Sequence, residues 1–246
     1  MKAKTIISVL ILLLPLTVFA NASSEELNRE LREAALVDDV DTVKALIAKG
    51  ADVNSTNEFG KTALMRAVEG GGVESIAYLL SKGADVNAKT VARCTALTFA
   101  VESGHAEITA MLIEMGAKLD AKSRAGWDAL IMAARQNYAL IIEQLLEFGA
   151  NPNTADKKGN TALISAAQRG HVEAIQSLLK YKVDPDQTDK EGVTALMKAI
   201  DKGFVEAVDA LLAGGADPNK ADEFGATPLI FAVESGNTVM TEKLLA

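Results

Sequence analysis

The chain has 246 residues, of which 49% are hydrophobic but only 4% aromatic, so its core is built mainly from Ala, Leu, Ile and Val, as in closely packed small helices. A net charge of −8 argues against non-specific nucleic-acid binding, which needs a basic face to neutralise phosphates. With a single cysteine, Cys94, an internal disulfide is excluded and stability rests on packing alone.

The first twenty residues differ from the rest. Lys2 and Lys4 precede an apolar run from Ile6 to Val18, broken only by Ser8, Pro15 and Thr17. The run is too short and too Pro-interrupted for a comfortable membrane span. Ala20 and Ala22 offer small residues for cleavage. This layout predicts a secretory signal peptide over residues 1–20, cut after Ala20 or Ala22; an uncleaved anchor is the alternative. No Cys follows the apolar run, which argues against a lipoprotein anchor. Losing Lys2 and Lys4 takes the net charge from −8 to −10. The expected location is the periplasm, or the medium if the host lacks an outer membrane, with no membrane attachment after cleavage.

From Ser24 onward the chain repeats every 33 residues, with register marks at Asn57, Thr90, Ser123, Asp156, Asp189 and Asp222. Ser24 opens a degenerate first copy. In Asn57-Glu58-Phe59-Gly60-Lys61-Thr62-Ala63-Leu64 the Asn opens a turn, Gly relieves a strained backbone position and Thr caps a helix. The first helix carries an alanine at one fixed slot, Ala34, Ala67, Ala100, Ala133, Ala166, Ala199 and Ala232, which suits close approach between helices. A glycine near Gly71, Gly104, Gly170, Gly203 and Gly236 ends it. A second helix ends in an apolar pair such as Leu79-Leu80 or Leu145-Leu146. Gly50, Gly83, Gly116, Gly149 and Gly215 then suit left-handed caps. A linker such as Ala51-Asp52-Val53-Asn54 leads into the next turn.

This unit resembles the ankyrin repeat, and Thr227-Pro228-Leu229-Ile230-Phe231-Ala232 is close to that family's T-P-L-H-x-A core. The resemblance covers Ser24 to Ala246. It implies an all-α solenoid of about seven 33-residue helix-turn-helix repeats with projecting β-turns. The domain would span residues 21–246, with an N-terminal capping repeat at 24–56, five regular repeats at 57–221 and a C-terminal capping repeat at 222–246. Charges in the first copy, and Thr238, Thr241, Glu242 and Lys243 in the last, would wet the two ends of the stack.

There are departures from the family pattern. Arg93 replaces the turn Gly, at a cost on the order of 1 kcal/mol if the left-handed geometry is kept. Lys182 replaces a helix-ending Gly, and Asp128 replaces the capping Thr. The usual His becomes Met65, Thr98, Ile131, Ile164, Met197 or Ile230, so packing must do more of its work.

Little chemistry is legible. His105 and His171 share one repeat slot and lack ligand-spaced partners, so a structural bond to the backbone is expected of them. No catalytic residue, metal ligand or cofactor is expected, and the chain does not read as an enzyme. The recurrent Asp residues read as turn formers.

The resemblance places partner contacts at the turn tips and on the groove side of the first helices. The candidates are Phe59, Val91, Arg93, Arg124, Trp127, Lys157, Lys158, Glu191 and Phe224 at the tips, with Arg135 and Arg169 on the helices. Phe59, Trp127 and Phe224 are aromatics at slots expected to face solvent, and aromatics are favoured hot spots. A basic centre (Arg93, Arg124, Arg135, Lys157, Lys158, Arg169) gives way to an acidic end, which would suit a partner of opposite pattern. The expected function is binding of another protein, an exported enzyme such as a peptidoglycan hydrolase, as its inhibitor or immunity protein, the chain being monomeric when free. The alternative is a stress-related scaffold or chaperone-like binder with several clients.

Overall fold

The structure, a computed structural model, describes residues 23–245; the signal peptide expected over 1–20 lies outside them. Each regular unit begins where a side chain folds back on its own turn. Asn57 Oδ1 accepts from the backbone N–H of Phe59 at 3.0 Å and of Lys61 at 2.9 Å. Asp156, Asp189 and Asp222 repeat this double bond. Thr90 and Ser123 make only one bond each, to the N–H of Cys94 and of Trp127.

Turns of neighbouring units are tied backbone to backbone. Val91 N–H donates to Phe59 O, Arg124 N–H to Ala92 O, Lys190 N–H to Lys158 O and Glu223 N–H to Glu191 O. This close approach is why glycine is needed at Gly159. Its φ is +90°, and a Cβ there would lie 2.6 Å from Lys190 N. Arg93 takes the same left-handed conformation at φ 66°, as its slot predicted, and so does Lys182 at φ 57°.

The first helices of the units are α1 (Ser24–Leu36), α3 (Ala63–Gly70), α5 (Ala96–Glu102), α7 (Ala129–Arg135), α9 (Ala162–Ala167), α11 (Ala195–Asp201) and α13 (Pro228–Glu234). The second helices are α2 (Val40–Ala48), α4 (Val73–Ser81), α6 (Ala106–Glu114), α8 (Ala139–Glu147), α10 (Val172–Lys180), α12 (Val205–Ala213) and α14 (Thr238–Leu245). Thr62, Thr95, Thr161 and Thr194 cap the first helices from their hydroxyls, and Asp128 does so through Oδ1 to the N–H of Ile131 at 2.9 Å. Thr227 makes no such bond. Where the family's His is missing, Met65, Ile131, Ile164 and Met197 are buried. Thr98 alone keeps a polar role there, closing a capping box with Thr95.

First helices stack on one another in chain order. The alanine slot lies at the contact: Ala67, Ala100, Ala133, Ala166, Ala199 and Ala232 are fully buried. Linker side chains join the units again. Asn54 Oδ1 accepts from Asp85 N–H at 2.8 Å while its Nδ2 donates to Gly83 O, and Asn87 repeats both bonds one unit on.

The turn between the two helices holds a device that slot-reading missed. Asp38 and Asn137 stand where other units have glycine, with φ of 56° and 61°. Their Oδ1 atoms accept from Ser75 N–H at 2.9 Å and Ala174 N–H at 3.0 Å, capping α4 and α10 of the following unit, which lack side-chain caps of their own. Asn137→Gly is expected to cost about 1 kcal/mol, the net worth of the lost hydrogen bond to Ala174 N–H. Asn137→Ala is expected to cost about 1 kcal/mol more, through left-handed strain. Urea unfolding of the two variants checks the order.

The last unit departs from expectation. Ile230 and Val233 are 41% and 60% exposed, although Met197 and Ile200 in the same slots are fully buried under the next unit. Among the described residues the last unit therefore presents a partly apolar face on α13.

Candidate functional site

A groove of about 810 Å³ runs along the turns and first helices of the fourth to sixth units. It gathers six of the expected contact residues: Trp127, Arg135, Lys157, Lys158, Arg169 and Glu191. The other five lie outside this groove. Phe59 lines a separate hollow beside Arg29 and Arg66. Val91, Arg93, Arg124 and Phe224 sit on turn tips, with Arg124 Nη2 donating to Val91 O at 3.2 Å.

The aromatics divide. Phe59 and Phe224 are 60% and 85% exposed, and Val91 is 58% exposed, as tip positions should be. Trp127 is not a solvent-facing tip residue. It is half-buried, packed against the core, with the Arg135 guanidinium 4.0 Å above its ring. A flat cation on an indole face is a favourable stack, and it holds Arg135 in place.

Sequence reasoning did not mark Lys198, Asp156 and Asp189 as groove residues. Lys198 shares a slot with Arg66, Phe99, Met132, Ser165 and Phe231, and the chemical variety of that slot was the available signal. The two aspartates are spent internally. Asp189 takes two turn N–H groups and an ion pair with Lys198 Nζ at 2.8 Å. Burial of Asp156 works to raise its pKa, but bonds from the Asn160 backbone and side chain, the Lys158 backbone and Trp127 outweigh it and hold the carboxyl below the usual aspartate value.

The sign of that shift fixes a pH response. A carboxylate with a depressed folded pKa stabilises the turn above the unfolded value and loses that effect as pH falls through the folded one. On acid titration the emission of Trp127, the one tryptophan in the chain, is expected to change only below the ordinary aspartate range. In Asp156→Asn that step should vanish.

The cations are not spent in the same way. Among the described residues Arg135, Lys157, Lys158, Arg169 and Lys190 form no ion pair. The floor of the groove is therefore positive in a chain whose net charge is −8. It presents fixed donors and a shaped cationic surface, and no pairing of nucleophile with base.

His171 Nδ1 lies 3.1 Å from Ala134 O, the backbone contact expected of its slot. Cys94 is free and half-buried. Among the described residues no group of three or more His, Cys, Asp or Glu is placed to hold a metal ion, and no helix is long and apolar enough to cross a membrane.

Comparison with known proteins agrees with the repeat geometry. A family model described as ankyrin repeats, in three copies, matches residues 31–123, 119–189 and 173–246. The crystal structure of the human ASB11 ankyrin repeat domain superimposes with a TM-score of 0.77 at 28% identity, over 87% of this chain and 96% of that one. No match was found among curated proteins.

Proposed function

This chain belongs to the ankyrin-repeat family, whose repeats are protein–protein interaction modules, and from that premise we propose a non-catalytic binding protein that acts outside the cytoplasm. The observation that carries the reading is the groove, where Arg135, Lys157, Lys158, Arg169 and Lys190 form no ion pair among the described residues. The export half rests on Lys2, Lys4 and the apolar run from Ile6 to Val18.

The partner in this reading is an exported enzyme, and the chain acts as its inhibitor or immunity protein by covering the active site. An acidic chain would be expected to seek a basic cleft, but the cationic groove reverses that expectation locally. It suits an anionic patch. Glycoside hydrolases that cut peptidoglycan work through paired carboxylates, which supports that enzyme class as partner.

Affinity capture from an extract of exported proteins tests the proposal. One stoichiometric partner is expected. The pair Phe59→Ala, Trp127→Ala should weaken its capture roughly 100-fold or more, since hot-spot losses run to 2 kcal/mol and above each. Equal capture by the double variant would refute these two contacts. Broad, weak capture of many proteins would replace this reading with the scaffold or chaperone-like one.

A further inference from the structure

Arg135 closes helix α7, and Arg169 lies just beyond the end of α9 in the next unit. Both line the same notch beside Trp127 and Met132. Helix C-termini favour cations, which offsets part of their repulsion. It leaves their hydrogen bonds unmade. Each guanidinium carries five N–H donors, and among the described residues none of these meets a side-chain or backbone acceptor in the chain. Burial first, and then the charge of Arg169, push the pKa of Arg135 down, with Asp156 opposing. Asp156 has already committed its oxygens to its own turn. Glu102 also lines the notch but forms no ion pair with either arginine, so among the described residues the notch is a donor-rich site without a paired anion.

We propose that Arg135 and Arg169 form the receptor for a carboxylate, an Asp or Glu side chain on a short acidic segment of the protein partner. This rests on the protein-binding reading and adds the partner's chemistry to it. Trp127 fixes one face of Arg135, which leaves the edge of the guanidinium free for a bidentate bond. Lys157 and Lys158 flank the site on the exposed turn. The positive strip is short, because Glu102 stands at one side and Glu191 at the other. Helix layers about 10 Å apart make three units roughly 20 Å across, or about six residues of extended chain. A long polyphosphate would meet carboxylates at both ends, whereas a short acidic segment would not.

Trp127 reports on the site directly, because its emission is the only indole signal. The chain without its leader would be titrated with a hexapeptide alternating Glu and Leu, and with the same peptide carrying Gln for Glu. The acidic peptide should shift Trp127 emission saturably and bind more weakly as salt rises. Arg169→Gln should raise its Kd roughly 10- to 100-fold, the loss of a charged hydrogen bond, with the circular dichroism spectrum unchanged. Equal binding of the Gln peptide, an unchanged Kd in Arg169→Gln, or displacement by inorganic phosphate or an oligonucleotide at lower concentration would each overturn the receptor. The two readings fail separately. Capture of a protein partner by the variant Arg135→Gln, Arg169→Gln as strongly as by wild type sinks the carboxylate receptor and leaves protein binding standing. Specific peptide binding with no partner captured does the reverse.

Discussion

Gly70→Ala is expected to detach the first unit from the stack. Helix propensity alone argues the opposite, since Ala is favoured over Gly by about 1 kcal/mol in a helix interior. Gly70 closes α3, and a Cβ built there lies 1.8 Å from the carbonyl oxygen of Leu36 and 2.8 Å from its carbon. These are backbone atoms at the end of α1, so no rotamer change relieves the contact. Overpacking costs typically about 1–3 kcal/mol, and a rigid backbone neighbour places this case at the upper end. A net loss of about 2 kcal/mol should fall on one interface, because a solenoid's stability is roughly a sum of nearest-neighbour terms. Amide hydrogen exchange checks it. Protection should drop in α1 and α2 and persist from α5 onward, whereas a stabilised α3 would show that propensity wins.

Leu145→Ala carries the other large effect. Leu145 is fully buried in the middle of the stack, in α8, while Leu140 of the same helix is 63% exposed. Truncating a buried leucine costs about 2–5 kcal/mol, from lost burial and the cavity left behind. Leu140→Ala should cost under about 0.5 kcal/mol, as surface changes do. The consequence reaches the groove. Arg135 and Arg169 belong to adjoining units, and α7, α8 and α10 set their spacing through packing. Leu145→Ala should therefore loosen the groove as well as lower stability, splitting the unfolding transition in two. Denaturant unfolding followed by Trp127 emission and by helical signal would show this as two non-coincident curves. Coincident curves with a loss under about 0.5 kcal/mol would contradict the central placement of Leu145.

The repeat made most of the fold readable, because each local rule is written several times over. Gly60, Gly126 and Gly192 fixed what a residue at that slot must do, so the left-handed backbone of Arg93 could be read from an arginine. The same averaging hid Asp38 and Asn137. They stand in a slot that glycine fills elsewhere, yet each reaches a helix in the following unit. Trp127 was placed at the right slot with the wrong exposure. Whether an indole stands out or lies down depends on Arg135, eight positions later and on another element, and slot position carries no trace of it. The open end at Ile230 and Val233 escaped for a similar reason: their slots are defined by a following neighbour that the described stack lacks.

Charge was the least readable property of the site. Net charge sums Asp156 and Asp189 with the rest, yet Asp156 spends its oxygens on its own turn, Asp189 spends its oxygens on turn N–H groups and Lys198, and both contribute little outward field. Only geometry separates such committed acids from the uncommitted cations Lys157, Lys158 and Arg169.

The turn-and-first-helix face is the surface proposed to grip a protein. Photo-crosslinking from single positions tests it most directly. A benzophenone side chain would replace Lys158 on the groove turn or Gln176 on the second helix α10 of the same unit, both exposed. Irradiation in an extract of exported proteins should yield one discrete adduct from position 158 and none from position 176. The same adduct from position 176, or none from position 158 while a partner is still captured, would move the working face elsewhere.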